Sequence, residues 1–133
     1  MSFLLDTNIC SAYLKRRTGL THRFVQHSGH LYLPTIVLGE LYTWAFRRAK
    51  PEELLAVLQH DLLADLTVID FDRHCARQFG QLQSLMLTKG TVVNSVDLMI
   101  AAVAVVHDLT VVTHNTRHFE PVPGLRVVDW LQE

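Results

Sequence analysis

Cysteine is scarce in this chain, and long apolar segments are absent. Two cysteines, Cys10 and Cys75, among 133 residues are too few for a disulfide framework or a cysteine metal cluster, so we expect reduced thiols. No basic segment followed by a long apolar core opens the chain, which argues against a secretory signal peptide. The longest apolar stretch, around residues 98–106, is too short to cross a bilayer. These absences predict a cytoplasmic protein without a membrane partner.

Net charge is also low, at −1, which by itself argues against a strongly basic nucleic-acid binder. The charges are nevertheless unevenly distributed. Residues 7–51 contain seven basic side chains and one acid, whereas residues 52–133 contain five basic side chains and eleven acids. A basic first third is consistent with a phosphate-binding face, a solvated surface, or a patch for an acidic partner chain. The basic residues of this segment are Lys15, Arg16, Arg17, Arg23, Arg47, Arg48 and Lys50.

Short apolar runs alternate with segments of helical composition along the chain. Strands are predicted at residues 3–5, 31–33, 66–69, 109–112 and 126–128. Helices are predicted at residues 9–17, 22–27, 36–49, 51–63 and 96–107, and a further long helix follows residues 70–72 and ends near residue 89. Strands joined by helical crossovers form parallel sheets. The pattern therefore predicts one domain, residues 1–133, with a three-layer α/β fold: a mainly parallel sheet of about five short strands flanked by helices.

The first predicted strand leads directly onto a carboxylate. Three apolar residues are followed by Asp6, Thr7 and Asn8. In open parallel sheets, ligands bind at the carboxyl ends of the strands, which is where Asp6 is expected. The same three side chains are also good caps for the helix that follows. Taken alone, Asp6 is therefore either a helix cap or an anchor for a metal.

Two further acids have comparable alternatives. Glu40 lies at helical spacing from Ile36 and Trp44, so its carboxylate shares a face with core-facing residues. Such a charge is costly unless it pairs with an arginine, reaches solvent or binds a cation. Asp97 is in the first turn of its helix, where the helix dipole alone favours an acid. It also lies above a stripe of small residues that includes Ala101 and points toward the strand ends.

Joint placement favours a metal site over three separate structural roles. In a parallel sheet, Asp6, Glu40 and Asp97 can converge on one cleft. Gathered carboxylates repel one another, and they either raise a pKa or bind a hard cation. Magnesium and manganese prefer oxygen ligands. A site of this kind suits phosphodiester hydrolysis, because the metal positions a water and neutralises charge on the phosphate.

The polar segment after the fourth strand should border the same cleft. Asn115 could accept a metal-bound water or contact substrate, Thr116 could hold a carboxylate or a water, and Arg117 could contact phosphate. The alternative for each is local capping of a helix start. His114 and His118 are four residues apart, but no third ligand lies nearby in sequence, so we interpret them as surface histidines.

Four segments in order carry a family resemblance. They are residues 4–8 (LLDTN), 34–41 (PTIVLGEL), 97–102 (DLMIAA) and 113–119 (THNTRHF), with PGL at 123–125. Each is weak alone, but together they span nearly the whole chain. The chain resembles the PIN-domain ribonucleases, and among them the VapC toxins of bacterial VapBC toxin–antitoxin systems.

The resemblance implies an endoribonuclease that depends on Mg²⁺ or Mn²⁺, with transfer RNA as a frequent target class. It also implies a homodimer that a VapB antitoxin inhibits by placing a C-terminal segment in the cleft. Asp6, Glu40 and Asp97 match the family's acidic metal-binding residues. Many PIN domains have a fourth acid where this chain has Asn115, which leaves open whether a second metal binds.

Two other classes of function are compatible with parts of the pattern. The first is a binding module with a degenerate site that holds RNA or a partner without cutting, which Asn115 favours. The second is a phosphoacceptor module of the response-regulator type, which needs an acid pair at the first strand and a basic residue after the last strands. In this chain Asp6 is a single acid, not a pair, after the first strand, and no lysine follows residue 89. In the preferred nuclease, Arg16, Arg17, Arg47 and Arg48 bind phosphates or an acidic antitoxin segment.

Overall fold

Five short strands form the centre of the fold in the computed structural model, which describes residues 1–16 and 19–131. The strands are β1 (Phe3–Leu5), β2 (Leu31–Pro34), β3 (Thr67–Ile69), β4 (Thr110–Val112) and β5 (Val127–Val128). Their spatial order is β3-β2-β1-β4-β5, and each neighbouring pair is parallel. The predicted parallel sheet of about five strands is confirmed.

Helices cover both faces of this sheet. They are α1 (Thr7–Leu14), α2 (Leu20–Gln26), α3 (Thr35–Phe46), α4 (Pro51–Val57), α5 (Arg73–Lys89) and α6 (Ser95–His107). The chain steps outward from β1 to β2 to β3 and then returns past β1 to β4. Because crossovers are right-handed, this reversal places α5 and α6 on the face opposite α1 to α4. The predicted three layers are confirmed.

Several helix boundaries differ from the predicted ones for local reasons. Helix α1 begins at Thr7, because the Asp6 side chain accepts the Thr7 N–H and caps the helix; Arg17 lies outside the described residues. Helix α3 ends at Phe46 instead of residue 49. Lys50 precedes Pro51 and takes a non-helical φ of −124°, as proline requires of its predecessor. After α4 the chain continues as a π turn (Leu58–Leu62) and a 3₁₀ turn (Leu63–Asp65).

The strand order creates a crevice at one edge of the sheet. β1 is the central strand, and the chain changes direction between its two neighbours, β2 and β4. Ligands bind in open α/β sheets at such a reversal, beyond the carboxyl ends of the strands. Leu5 pairs with Val112 in the register of β1 and β4. Asp6 and Thr113, the residues that follow, therefore lie side by side at this crevice.

The core lies on both sides of β1. All three residues of β1 are buried, and Leu4 and Leu5 are fully inaccessible. Ala101 and Ala104 form a buried face of small side chains on α6, and this lets the helix approach its neighbours closely. Cys10 and Cys75 are both buried and unpaired, as expected of reduced thiols. Among the described helices, none has the length and apolar composition that a bilayer crossing requires.

Truncation of the central strand should be severely destabilising. Leu4→Ala removes a side chain that is 0% exposed, so we expect the free energy of unfolding to fall by about 2–5 kcal/mol. Urea denaturation measures this. The control is Leu87→Ala on α5, whose side chain is 71% exposed and whose loss should change stability by less than about 0.5 kcal/mol. Equal losses in the two variants would contradict this description of the core.

Candidate active site

Asp6 is held at the crevice by two short hydrogen bonds. The backbone N–H of Thr7 donates to Oδ1 at 2.7 Å, and the hydroxyl of Thr113 donates to Oδ2 at 2.7 Å. The Asp6 backbone N–H continues the sheet by donating to the Val112 carbonyl. Asp6 is 6% exposed. The residue is thus both the cap of α1 and a buried carboxylate with a fixed orientation at the strand end.

Burial raises the pKa of the Asp6 carboxyl above its ordinary value, because water no longer solvates the charge. The hydrogen bonds from Thr113 and Thr7 act in the opposite direction, since they stabilise the ionised form. The negative charges of Asp97 and Glu40 raise the pKa further. The three acids predicted from sequence are therefore close enough to interact electrostatically at one site.

Glu40 reaches this site from α3. Its Oε1 accepts a 2.6 Å hydrogen bond from the Thr7 hydroxyl, while the carboxylate remains exposed to solvent. The arginine partner considered as an alternative is not present, because no ion pair within the described residues includes Glu40. Thr7 therefore links two acids, donating its backbone N–H to Asp6 and its hydroxyl to Glu40.

Asp97 reaches the site from the first turn of α6, but it does not cap that helix. The cap is Asn94, whose Oδ1 accepts from the N–H groups of Val96 and Asp97; the prediction that Ser95 caps α6 is wrong. The Asp97 side chain instead lies with Oδ2 3.2 Å from His118 Nδ1. Because Asn94 satisfies the helix start, the Asp97 carboxylate is available for another role.

The loop after β4 is fixed to α1 by Asn8. Its amide donates to the Thr113 hydroxyl at 3.3 Å, and its Oδ1 accepts from the His114 N–H at 3.1 Å. The Asn115 N–H also donates to the Thr113 hydroxyl, at 3.0 Å. The side chains of Asn115 and Arg117 are left exposed. They border an open cavity of about 430 Å³, which is lined by His114, Asn115, Thr116, Arg117, His118 and Asp129.

Three residues of this site were not identified from the sequence. Thr113, and not Thr116, holds the carboxylate; within the described residues, no side-chain hydrogen bond includes the Thr116 hydroxyl. His118 contacts Asp97, and His114 contacts Asp129 at 3.0 Å. Both histidines are exposed, as predicted, but their carboxylate partners were not anticipated. Thr113 directly follows a buried strand, which would have suggested a residue of the site. Its contact with Asp6 could be predicted only if β4 were known to neighbour β1.

The donor atoms fit an open site for a hard cation. Every candidate ligand is a carboxylate oxygen, and each Asp6 oxygen keeps a lone pair beyond its one hydrogen bond. Within residues 1–16 and 19–131, no three His, Cys, Asp or Glu side chains already form a ligand cluster. Magnesium tolerates this arrangement, because it keeps several waters and needs only one or two carboxylates. The geometry therefore fits a partly hydrated ion and does not form a closed cage.

Comparison with known proteins agrees with this geometry. A family profile described as PIN domain matches residues 3–125. The chain belongs to the PIN-domain family. The tRNA(fMet)-specific endonuclease VapC of Salmonella typhimurium is 37% identical over 131 residues, 98% of each chain. Ribonuclease VapC2 of Haemophilus influenzae is 34% identical over 132 residues, 98% of this chain and 99% of the relative.

Solved structures also resemble this PIN-domain chain, and they include VapC proteins. The DNA-bound VapBC complex from Salmonella typhimurium contains a chain that superposes with a TM-score of 0.92 at 37% identity, with 98% of each chain covered. The VapC resemblance of the four sequence segments is confirmed by these relatives. The chain is accordingly a PIN-domain nuclease of the VapC type.

Removal of the Thr113 hydroxyl should raise the Asp6 pKa further, because Thr113 stabilises the ionised carboxylate. In metal-free Thr113→Val, NMR titration of the Asp6 carboxyl carbon should show a higher midpoint than in the wild type. When a carboxyl has a higher pKa in the folded than in the unfolded protein, its contribution to stability is fully present below the unfolded pKa. That contribution is lost as the pH rises through the folded pKa. The variant should therefore lose this contribution at higher pH.

The matched control for that titration is Thr116→Val, on the same loop. Its hydroxyl makes no side-chain hydrogen bond within the described residues, so the Asp6 midpoint should not move. A shift in Thr116→Val with none in Thr113→Val would show that the loop holds Asp6 differently.

Proposed function

We propose that this chain is the toxin of a VapBC-type pair: an endoribonuclease that depends on Mg²⁺ or Mn²⁺ and hydrolyses RNA phosphodiester bonds at the cleft of Asp6, Glu40 and Asp97. The observation that carries the proposal is the buried Asp6 carboxylate at the sheet reversal, with Glu40 and Asp97 near enough to act on it electrostatically. Two of them raise the pKa of the third, and within the described residues no lysine or arginine pairs with any of them. A cation is the natural complement to such a cluster.

Asp6 and Asp97 are the residues that we propose to hold the ion. Asp6 is buried and fixed by two donors, so it offers a rigid anchor. Asp97 is oriented by His118 and lies on the separate helix α6, so the two carboxylates approach from different elements. A divalent cation bound there would supply positive charge for the transferring phosphate and lower the pKa of a bound water.

Glu40 has a different environment and a different proposed role. Thr7 holds its Oε1, and within the described residues no hydrogen bond includes its Oε2. Oε2 can therefore accept a hydrogen bond from the water that attacks the phosphate, or contact the cation. Thr7 couples this orientation to Asp6, because the same residue donates to both carboxylates.

The loop and the basic residues complete the substrate side. Arg117 is exposed beside the cavity, and its proposed role is to contact a phosphate of the RNA. Asn8 fixes the loop, and Asn115 presents a neutral amide in place of a carboxylate, which suits a single ion or contact with RNA. Exposed Arg16, Arg47 and Arg48 provide further phosphate contacts.

The names of the relatives support the proposed partners and the target class. The Salmonella relative is named a tRNA(fMet)-specific endonuclease, which makes transfer RNA the first target class to examine. Solved neighbours are VapBC complexes, some bound to DNA, which supports a VapB-type antitoxin as the partner. We extend the proposal to a cytoplasmic homodimer that such an antitoxin neutralises.

Cleavage of RNA by the purified protein tests the proposal. With Mg²⁺ present, the wild type should cut bacterial transfer RNA at discrete positions, and excess EDTA should abolish the cutting. Asp6→Ala should reduce the rate by at least about 100-fold, because the anchoring carboxylate is lost. Gel analysis and mapping of the new RNA ends measure both effects.

The matched control is Asp70→Ala. Asp70 also follows a strand, β3, but it is exposed and takes no part in the carboxylate cluster. Its substitution should leave the rate within about twofold of the wild type. Cutting that survives in Asp6→Ala would contradict the proposed site, whereas RNA binding without cutting by the wild type would support the degenerate binding module.

A further inference from the structure

An aromatic side chain on α3 lies close to two cations outside the carboxylate cluster. The Trp44 indole is partly buried against the core and partly open to solvent. Lys15 Nζ lies 5.8 Å from the ring centroid, and Arg48 Cζ lies 5.4 Å from it. Both distances are within the range of a cation–π contact. Helices α1 and α3 thus jointly build a cationic aromatic surface, which we call the Trp44 platform (Lys15, Trp44 and Arg48).

The Trp44 platform continues directly from the acid site. Glu40 and Trp44 are four residues apart, so they lie on one face of α3, about 6 Å apart along the axis. At the upper end, Thr7 of α1 bonds to Glu40. At the lower end, Lys15 at the end of α1 contacts Trp44. The seam between the two helices therefore leads from the carboxylates to the indole.

The charges of the platform favour a polyanion as the occupant. Within the described residues, neither Lys15 nor Arg48 forms an ion pair with a carboxylate. The exposed Arg47 adds positive charge beside Arg48. Sites for single-stranded nucleic acid combine a basic groove with aromatic rings on which bases stack.

We propose that Trp44 is a base-stacking residue for RNA. A nucleotide next to the one that is cut stacks on the indole, while Lys15 and Arg48 neutralise its flanking phosphates. This inference rests on the proposed nuclease function, because it assigns a substrate subsite to the same cleft. It makes Trp44 a specificity residue that contributes to substrate affinity and takes no part in bond cleavage.

Tryptophan fluorescence tests this without any cleavage. The chain has two tryptophans, Trp44 and Trp130, so Trp130→Phe leaves Trp44 as the only indole. In EDTA, a single-stranded oligoadenylate of about ten nucleotides should quench the Trp44 emission saturably, and the quenching should weaken with salt. Trp44→Leu should weaken binding of the same probe, followed by anisotropy of a labelled strand, roughly 5- to 150-fold.

Two comparisons separate stacking from charge and from folding. Trp44→Phe keeps an aromatic face and should restore most of the affinity, whereas the double variant Lys15→Gln, Arg48→Gln should lose affinity and salt dependence together. An abasic strand of equal length should bind the wild type and Trp44→Leu equally. Thermal unfolding of each variant shows whether a loss of affinity reflects loss of the fold.

Several outcomes would overturn the inference. Unchanged oligoadenylate affinity in a folded Trp44→Leu would show that Trp44 does not stack a base, and it would point to a protein contact. Equal loss on the abasic strand would show a role in charge placement only. In either case, Mg²⁺-dependent cutting by the wild type would leave the proposed function intact. Conversely, quenching of Trp44 without any cutting would contradict the nuclease and keep the RNA subsite.

Discussion

Burial of the Asp6 carboxylate at the end of the central strand is the constraint on which the rest of the site depends. A carboxylate that is 6% exposed, with two other acids nearby, is costly to ionise. The fold offsets part of this cost with donors that are themselves fixed: the first N–H of α1 and the hydroxyl of Thr113 at the end of β4. The remaining charge is what a divalent cation would neutralise.

This arrangement explains why distant parts of the chain meet here. β1 supplies Asp6, α3 supplies Glu40, α6 supplies Asp97, and β4 supplies Thr113. Each comes from an element that begins or ends at the carboxyl edge of the sheet or near it. Thr7 and Asn8, the two residues after Asp6, then tie Glu40 and the loop after β4 to the same point. A change at Asp6 should therefore affect the ligand set and its supports together.

Much of this was predictable from sequence, for identifiable reasons. The apolar runs predicted the strands, and an acid that follows a buried strand predicted Asp6 as the anchor. Thr113 was missed because its partner depends on strand order, which a single sequence does not specify. Asn94 and Ser95 are adjacent and both cap helices well, so composition could not choose between them.

The contact of His118 with Asp97 depends on a 3₁₀ turn at Thr116–His118 that brings two segments together. The Trp44 platform likewise combines α1 with α3, and only the packed structure shows that it exists.

Asp6 and Asp97 are proposed to hold a divalent cation at the crevice between β1 and β4. Anomalous diffraction from crystals of the wild-type protein soaked in Mn²⁺ tests this most directly, because the ion itself is located. We expect one anomalous peak within coordination distance of carboxylate oxygens of Asp6 and Asp97, with waters completing the shell. A peak elsewhere on the chain, or none beside Asp6 in well-ordered crystals, would contradict it.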